Sequence, residues 1–214
     1  MGRIGADEAG KGPVLGSMFA AAVRIADGAT LPDGVRDSKA LTPERREDLA
    51  IELRGSDGIA VGVAEVTPRR IDDPETDMNS LTVWAQARAI GEVATPDDDC
   101  VIDASDVRPD RFGVRVSNHL DVDATVDARH HADEDHPIVA AASIIAKVER
   151  DAHVAELEEE YGPVGSGYPS DPQTRTFLEE YVSEQNGLPA CARTSWQTSA
   201  TVLASAEQAG LSDF

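Results

Sequence analysis

Two adjacent carboxylates, Asp7 and Glu8, stand inside the glycine-rich string Gly5-Ala-Asp-Glu-Ala-Gly-Lys-Gly-Pro-Val-Leu-Gly16. They follow a short apolar start at Ile4 and precede a tight Gly10-Lys11-Gly12-Pro13 turn. Carboxylates that close a strand beside a loop able to approach a ligand suit a divalent cation. Hard ions such as magnesium take oxygen ligands and keep positions open for substrate phosphates. The chemistry indicated is metal-dependent hydrolysis of a phosphodiester. One acidic pair is weak support, because the chain carries 40 Asp and Glu in 214 residues and has other acidic neighbours, Asp72-Asp73 and Asp97-Asp98-Asp99. Company strengthens the reading. Asp103 ends the apolar run Val101-Ile102-Asp103, and an acid at the end of a buried strand reaches the crevice where α/β sheets bind ligands. A fourth acid could come from Asp133 or Asp135, ahead of a helix at Pro137; spacing does not choose between them, nor does it remove Asp106. Two cations about 3.5–4 Å apart can activate water and stabilise a leaving oxygen, and their mutual repulsion calls for about four carboxylates around them.

Other strings compete for attention. Gly5 to Lys11 fits the opening of a phosphate-cradling P-loop. The match then fails: Gly12 stands where a magnesium-binding hydroxyl is needed, Pro13 follows, and two acids occupy a loop meant for phosphate oxygens. Gly165-Ser-Gly-Tyr-Pro-Ser-Asp-Pro172 reads first as a turn and helix cap. It also offers Tyr168, held by flanking glycines and proline, as a platform for a sugar or base. Only three lysines occur, Lys11, Lys39 and Lys147, against sixteen arginines. Lysines kept in a chain that has nearly eliminated them are candidates for phosphate contact. His130, His131 and His136 do not make a zinc site by spacing: no cysteine is near and no helical H-x-x-x-H pattern is present.

These residues need elements to place them. Residues 3–7, 17–25 and 58–67 read as strands, the last rich in β-branched residues. Thr42-Pro43-Glu44 opens a helix running to about Arg54, with threonine as N-cap and proline in the first helical position. A longer helix covers about 78–93, with Leu81, Trp84, Ala85, Ala87 and Ile90 on its inner face. Cys100–Asp103 is a short strand, and the alternation of 112–118 predicts another. From Pro137 the chain turns helical, over 137–160, 171–184 and 199–209. Strands alternating with helices and a helical last third predict an α/β class: a mixed sheet flanked by helices in a core over 1–150, and a C-terminal helical extension over 151–214. No internal repeat or low-complexity linker interrupts it.

The net charge is −21. Acids are dispersed rather than gathered in a tail, and apolar periodicity persists throughout, which excludes a disordered acidic chain. Dispersed acidity suggests a salt-loving host, since in molar salt the screening length shrinks to about 3 Å and global charge no longer repels a polyanion. No stretch approaches the roughly 20 apolar residues of a membrane span, and no leader pattern opens the chain. Cys100 and Cys191 are isolated, which fits a reducing, cytoplasmic setting.

Assembled, these strings closely resemble ribonuclease HII, the type 2 ribonuclease H, in its archaeal form. The resemblance rests on Asp7-Glu-Ala-Gly-Lys-Gly-Pro-Val14, Asp37-Ser-Lys-Ala-Leu41, Val101-Ile-Asp-Ala-Ser-Asp106, His131-Ala-Asp133, Ala141-Ala-Ser-Ile-Ile-Ala-Lys147, Gly165–Pro172 and Arg193-Thr-Ser-Trp-Gln197. It covers nearly the whole chain in order. It implies a ribonuclease H-like fold and an endonuclease that cuts the RNA strand of RNA–DNA hybrids. It also implies cleavage 5′ of single ribonucleotides in duplex DNA, leaving 3′-hydroxyl and 5′-phosphate ends, with magnesium (Mg2+) or manganese (Mn2+) as cofactor. By motif, Asp7, Glu8, Asp103 and Asp133 become the metal-binding and catalytic acids, which selects Asp133 over Asp135 by resemblance only. The backbone of Gly10, Lys11 and Gly12 would read the ribose 2′-hydroxyl, and Tyr168 would stack on a neighbouring deoxyribose. Lys39, Arg46, Ser143 and Lys147 match positions that hold strand phosphates. The expected partners are RNA–DNA hybrid and ribonucleotide-containing duplex DNA, with no membrane, a monomeric chain and a sliding-clamp contact left open. Lys11 replaces a commoner arginine. Glu8-Ala9 before Gly10 and the lack of an extra N-terminal domain set the chain apart from the type 3 enzymes. A non-catalytic hybrid-binding module and a DNA-cutting nuclease of the same fold are the competing readings; the four acids oppose the first, the ribose-reading residues the second.

Overall fold

The computed structural model describes residues 2–35 and 41–212. Along them run β1 (Arg3–Ala9), β2 (Met18–Ile25), α1 (Pro43–Gly55), β3 (Ile59–Val66), α2 (Pro68–Ile71), α3 (Met78–Gly91), β4 (Asp99–Asp103), α4 (Pro109–Ser117), β5 (Thr125–Arg129), α5 (Ala132–Asp135), α6 (Pro137–Tyr161), α7 (Pro172–Gln185) and α8 (Gln197–Ser212). The chain divides into two compact units. One comprises Met1–Ala9, Met18–Glu65 and Met78–Arg150; the other comprises Gly10–Ser17, Val66–Asp77 and Asp151–Phe214.

The first unit is built on a mixed five-stranded sheet in the order β3-β2-β1-β4-β5. β1 pairs antiparallel with β2, placing Asp7 opposite Ala21 and Glu8 opposite Ala20. On its other edge β1 runs parallel to β4, with Ala6 opposite Ile102, and β4 runs parallel to β5. All of β2 except Arg24 is buried, as expected of a strand covered on both faces. On one face Ala21 and Val23 of β2 pack with Leu49, Ala50 and Leu53 of α1 and with residues 140–146 of α6. That approach depends on Gly5. A Cβ there would lie 2.3 Å from the Ile138 carbonyl and 2.5 Å from the Val139 nitrogen, so only a residue without a side chain lets α6 begin against β1. On the other face α3 covers β1 and β2, with the Thr82 hydroxyl 3.9 Å from the Met18 sulfur. α4 covers β5, Gly113 lying against Ala128.

A buried carboxylate ties the N-terminal edge of this unit together. Asp98 accepts from the Gly2 nitrogen at 2.6 Å, from Arg24 Nε at 2.7 Å and from the Thr95 nitrogen and hydroxyl at 2.9 Å. Burial alone would raise its pKa, but Arg24 and the amides of Thr95 and Gly2 outweigh that and hold it well below the usual carboxylate range.

The second unit has its own core of Val14, Leu15, Leu157, Val164, Phe177, Leu178, Val182, Ala192 and Val202. Tyr161, Phe177 and Tyr181 meet at ring separations of about 6 Å, within the range aromatic pairs favour. The sequence placed residues 10–17 and 66–77 with the core over 1–150. In the structure they belong with the C-terminal helices: Leu15 bridges to Ala192, and Asp72 accepts from the Thr194 and Ser195 nitrogens at 2.7 and 2.9 Å.

One expected element changes type. Residues 112–117 are helical, not extended, and Asn118 is the C-cap. Phe112 and Val116, one turn apart, are buried while Val114 is 61% exposed. The apparent alternation was therefore the i, i+4 face of a short helix started by Pro109. β5 was missed although Thr125–Arg129 alternates polar and apolar, because the run is only five residues long and its two apolar positions, Val126 and Ala128, are no more than half-buried. α2 and α5 were missed because single turns leave no periodic trace.

Candidate active site

β1 delivers Asp7 and Glu8 at its C-terminal end. Consecutive side chains of a strand point to opposite faces, and the two acids do so here. Asp7 is 8% exposed. Its carboxylate accepts the Glu8 amide at 2.7 Å and is hydrogen-bonded by Ser143 of α6. Glu8 turns toward α3, where its Oε2 accepts Gln86 Nε2 at 2.7 Å. Asp103 follows Ile102, the residue paired with Ala6, so it leaves β4 at the level where Asp7 leaves β1. Its Oδ1 accepts the Ala132 amide at 2.7 Å, fixing the start of α5 against the end of β4. The chain reaches α5 through His131, whose φ of 55° makes the turn, while His130 Nδ1 sits 3.1 Å from the Ala104 carbonyl. Asp133, in the first turn of α5, acts electrostatically on Asp103. Asp135 acts instead on Arg129.

The electrostatics are those of a site short of positive charge. Burial raises the pKa of Asp7, and the charges of Glu8 and Asp103 raise it further against the Ser143 hydrogen bond. Burial also raises that of Asp103; the Ala132 amide opposes this, Asp133 adds to it, and His131 and His130 lower it. Carboxylates that oppose one another's ionisation in a half-buried place are suited to a cation. An all-oxygen donor set fits magnesium or manganese, not a soft metal. Among the described residues no three His, Cys, Asp or Glu side chains are drawn together closely enough to enclose an ion.

The second unit contains the glycine turn and Tyr168. Gly10 has φ +87° and Gly16 φ +75°, conformations that favour glycine. Four carbonyls of this loop accept side-chain hydrogen bonds. Arg193, wholly buried, donates to the carbonyls of Gly16 and Lys11 at 2.9 Å and of Gly10 at 2.5 Å. Trp196 Nε1 donates to the Gly12 carbonyl at 3.2 Å, and its ring lies 4.9 Å from the Arg193 guanidinium carbon. Tyr168 is 45% exposed, and a Cβ on Gly12 would stand 3.5 Å from its ring. The turn before it is locked: Val14 and Leu15 amides donate to the Gly167 carbonyl, and Asp171 Oδ2 accepts the Ser166 amide and hydroxyl at 2.7 Å. Asp171 also caps α7, so the string is a turn and helix cap in the structure, as its residue types require.

The remaining expected contacts are scattered through the first unit. Ser143 is buried beneath Asp7. Lys147 follows one turn later on α6, half-buried. Arg46 lies on α1, with Nη1 3.1 Å from the Leu41 carbonyl. Lys39 lies outside the described residues. Sequence reasoning missed Gln86, which is fully buried on α3; a polar residue inside the apolar periodicity of 81–90 was its only signal. It also missed Arg193 as the residue that organises the glycine loop, since an arginine 177 positions beyond Gly16 gives no local sign.

A family model described as Ribonuclease HII matches residues 4–199. The ribonuclease HII of Haloarcula marismortui is 61% identical over 212 residues, covering 99% of this chain and all of that one. The crystal structure of ribonuclease H2 from Pyrococcus horikoshii superposes with a TM-score of 0.90 at 39% identity, covering 97% of this chain and 100% of that one. Ribonuclease HII of Archaeoglobus fulgidus, solved in a complex with PCNA, superposes with a TM-score of 0.82 at 38% identity over 92% of this chain and 96% of that one.

Proposed function

Because this chain belongs to the ribonuclease HII family, an endoribonuclease family, we propose that it cuts the RNA strand of RNA–DNA hybrids and also cuts 5′ of single ribonucleotides in duplex DNA. The products are 3′-hydroxyl and 5′-phosphate ends. The observation that carries the reading is the pair Asp7 and Asp103, which sit at the same level on neighbouring parallel strands, the charge of Asp103 adding to the burial and the Glu8 charge that raise the pKa of Asp7.

Asp7, Glu8, Asp103 and Asp133 would hold Mg2+ or Mn2+. The electrostatic reach of Asp133 to Asp103, where Asp135 acts on Arg129, supports Asp133 as the fourth acid. Two such ions, when bound, supply the Lewis acidity that activates water and stabilises the leaving oxygen. The chain's own residues do the rest. Ser143 and Ala132 orient Asp7 and Asp103 through hydrogen bonds. Arg193 and Trp196 hold the Gly10–Gly12 backbone rigid by its carbonyls, which suits a loop that reads a 2′-hydroxyl, the group that distinguishes RNA from DNA. Tyr168, against Gly12, would stack on the adjoining deoxyribose. Lys39, Arg46 and Lys147 are assigned to strand phosphates by their motifs; Ser143 shares that assignment by motif, but its buried hydroxyl is engaged by Asp7.

No helix among the described residues is long and apolar enough to cross a membrane, and we place the enzyme in the cytoplasm, acting as a monomer. The PCNA complex belongs to the Archaeoglobus protein; a comparable clamp contact is proposed here on that likeness, as is a salt-requiring surface on the net charge of −21.

The test is a DNA duplex carrying one ribonucleotide, incubated at high salt with magnesium and manganese separately. A single cut on the 5′ side is expected. An uncut duplex under both metals, with an all-RNA hybrid strand degraded, would remove the single-ribonucleotide activity; no cleavage of either substrate would remove the whole reading.

A further inference from the structure

Gln86 lies on α3 with 0% exposure. Its amide nitrogen donates to Glu8 Oε2 at 2.7 Å and to the Asp103 main-chain carbonyl at 2.9 Å. Both partners only accept, so the amide can face them in one orientation only. The two donors of one NH2 group thus join the last turn of side chain on β1 to the last residue of β4. The cost is visible: Gln86 Oε1 is buried with no hydrogen-bond partner among the described residues. A leucine or methionine would fill this helix position without that cost. An amide kept there at a penalty points to the bond it makes.

The chemistry of the side chain narrows the role. A lysine at this place would neutralise Glu8 and weaken its pull on a cation. An acid would repel it. An amide holds one carboxylate oxygen, and with it the plane of the group, while leaving the negative charge intact. This is what an acid that must meet a cation in one orientation requires of its outer hydrogen bond. Asp7 receives the matching service from Ser143 on the opposite face.

We propose that Gln86 is a positioning residue for this enzyme: it sets the orientation in which Glu8 meets a divalent cation, and does so from the same amide that fixes the end of β4. The proposal rests on the functional reading above, which makes Glu8 a metal ligand.

The test uses the full chain in high salt. Mn2+ binding is titrated by electron paramagnetic resonance for the wild type, Gln86→Leu, Glu8→Ala and the double variant, and cleavage of the single-ribonucleotide duplex is followed alongside. Gln86→Leu is expected to fold, with a thermal midpoint a few degrees at most below the wild type, because relief of the unpaired Oε1 offsets part of the loss of the donor to Glu8 and Asp103. Its Mn2+ dissociation constant is expected to rise about tenfold, and kcat to fall by about 10–100-fold with KM for the duplex unchanged. In the Glu8→Ala background the same substitution should add no further loss of Mn2+ affinity, because the residue acts through Glu8. Equal losses in both backgrounds, or wild-type Mn2+ affinity in Gln86→Leu, would overturn it. Gln86→Met is run in parallel; if neither apolar variant folds while Glu8→Ala does, Gln86 is a structural residue and the proposal falls. A wild type that binds Mn2+ yet cuts neither substrate would sink the functional reading alone, and the Mn2+ titrations would still decide the role of Gln86.

Discussion

Asp7 and Glu8 are neighbours in the chain but are held from opposite faces of the sheet, Asp7 by Ser143 on α6 and Glu8 by Gln86 on α3. The two charges still act on one another, Glu8 raising the pKa of Asp7 beyond what burial does. Each carboxylate is oriented by a different helix, and the two helices must both be seated before the acids take their places.

Asp7→Asn should abolish cleavage and yet stabilise the metal-free protein. The folded-state pKa of Asp7 is raised, so its favourable contribution exists below the unfolded value of about 4 and is lost as pH rises through the folded value. At neutral pH the ionised group opposes folding, and a neutral amide removes that opposition. With a chelator present at pH 7.5, the thermal midpoint is expected to rise by about 2–4 °C, the shift of about 1 kcal/mol in a chain this size. The difference should vanish near pH 4. A lower midpoint for the variant at pH 7.5 would show that Asp7 is not strained by its neighbours.

Gly5→Ala tests the seating of α6. The new Cβ would meet the Ile138 carbonyl at 2.3 Å, backbone that cannot step aside. The expected cost is at least about 1–3 kcal/mol, the range for overpacking, seen as a lower urea midpoint. Activity should drop more than stability at low temperature, because moving α6 moves Ser143 away from Asp7.

Arg193→Met removes the donors to three loop carbonyls while keeping most of the side-chain volume. Leaving buried carbonyls without their donor costs about 1–3 kcal/mol per group, measurable by denaturant unfolding. In the fraction that remains folded, discrimination between a ribonucleotide and a deoxyribonucleotide at the cut site should narrow. Unchanged discrimination would separate the loop's rigidity from ribose reading.

Asp98 should govern the acid limb of the stability curve. Its folded pKa is depressed by Arg24 and the amides of Thr95 and Gly2 despite burial. Its contribution is thus present above the unfolded value of about 4 and lost as pH falls through the folded value. Asp98→Asn is expected to lower stability at pH 7 and to flatten the loss between about pH 4 and pH 2, followed by circular dichroism. A parallel acid limb in variant and wild type would shift the responsibility to other carboxylates.

Salt should separate two effects of the net charge of −21. Self-repulsion of the acidic surface predicts loss of folded signal below about 0.5 M salt, where the screening length grows past about 4 Å. Hybrid binding should persist into molar salt, where an ordinary basic nucleic-acid protein loses affinity. Full stability in dilute buffer would refute the first part.

Local chemistry made much of this protein legible in its sequence. Thr42-Pro43 and Asp171-Pro172 are helix starts in the structure as their residue types require, and the short segments read as strands at β1, β2 and β4 are strands. The motif strings identified the family because their residues occur in order over nearly the whole chain. Where local patterns were short they misled: Phe112-Gly-Val-Arg-Val116 alternates like a strand but folds as a helix against β5. What the chain could not show was which distant groups meet. Period-two alternation sends Asp7 and Glu8 to opposite faces, but only packing put Ser143 behind one and Gln86 behind the other. Only packing brought Arg193 to the carbonyls of Gly10, Lys11 and Gly16. The reason is physical: residue type and spacing decide what a segment prefers over a few turns, whereas hydrogen bonds between groups 78 to 183 residues apart form only when burial of the intervening elements holds both partners in place.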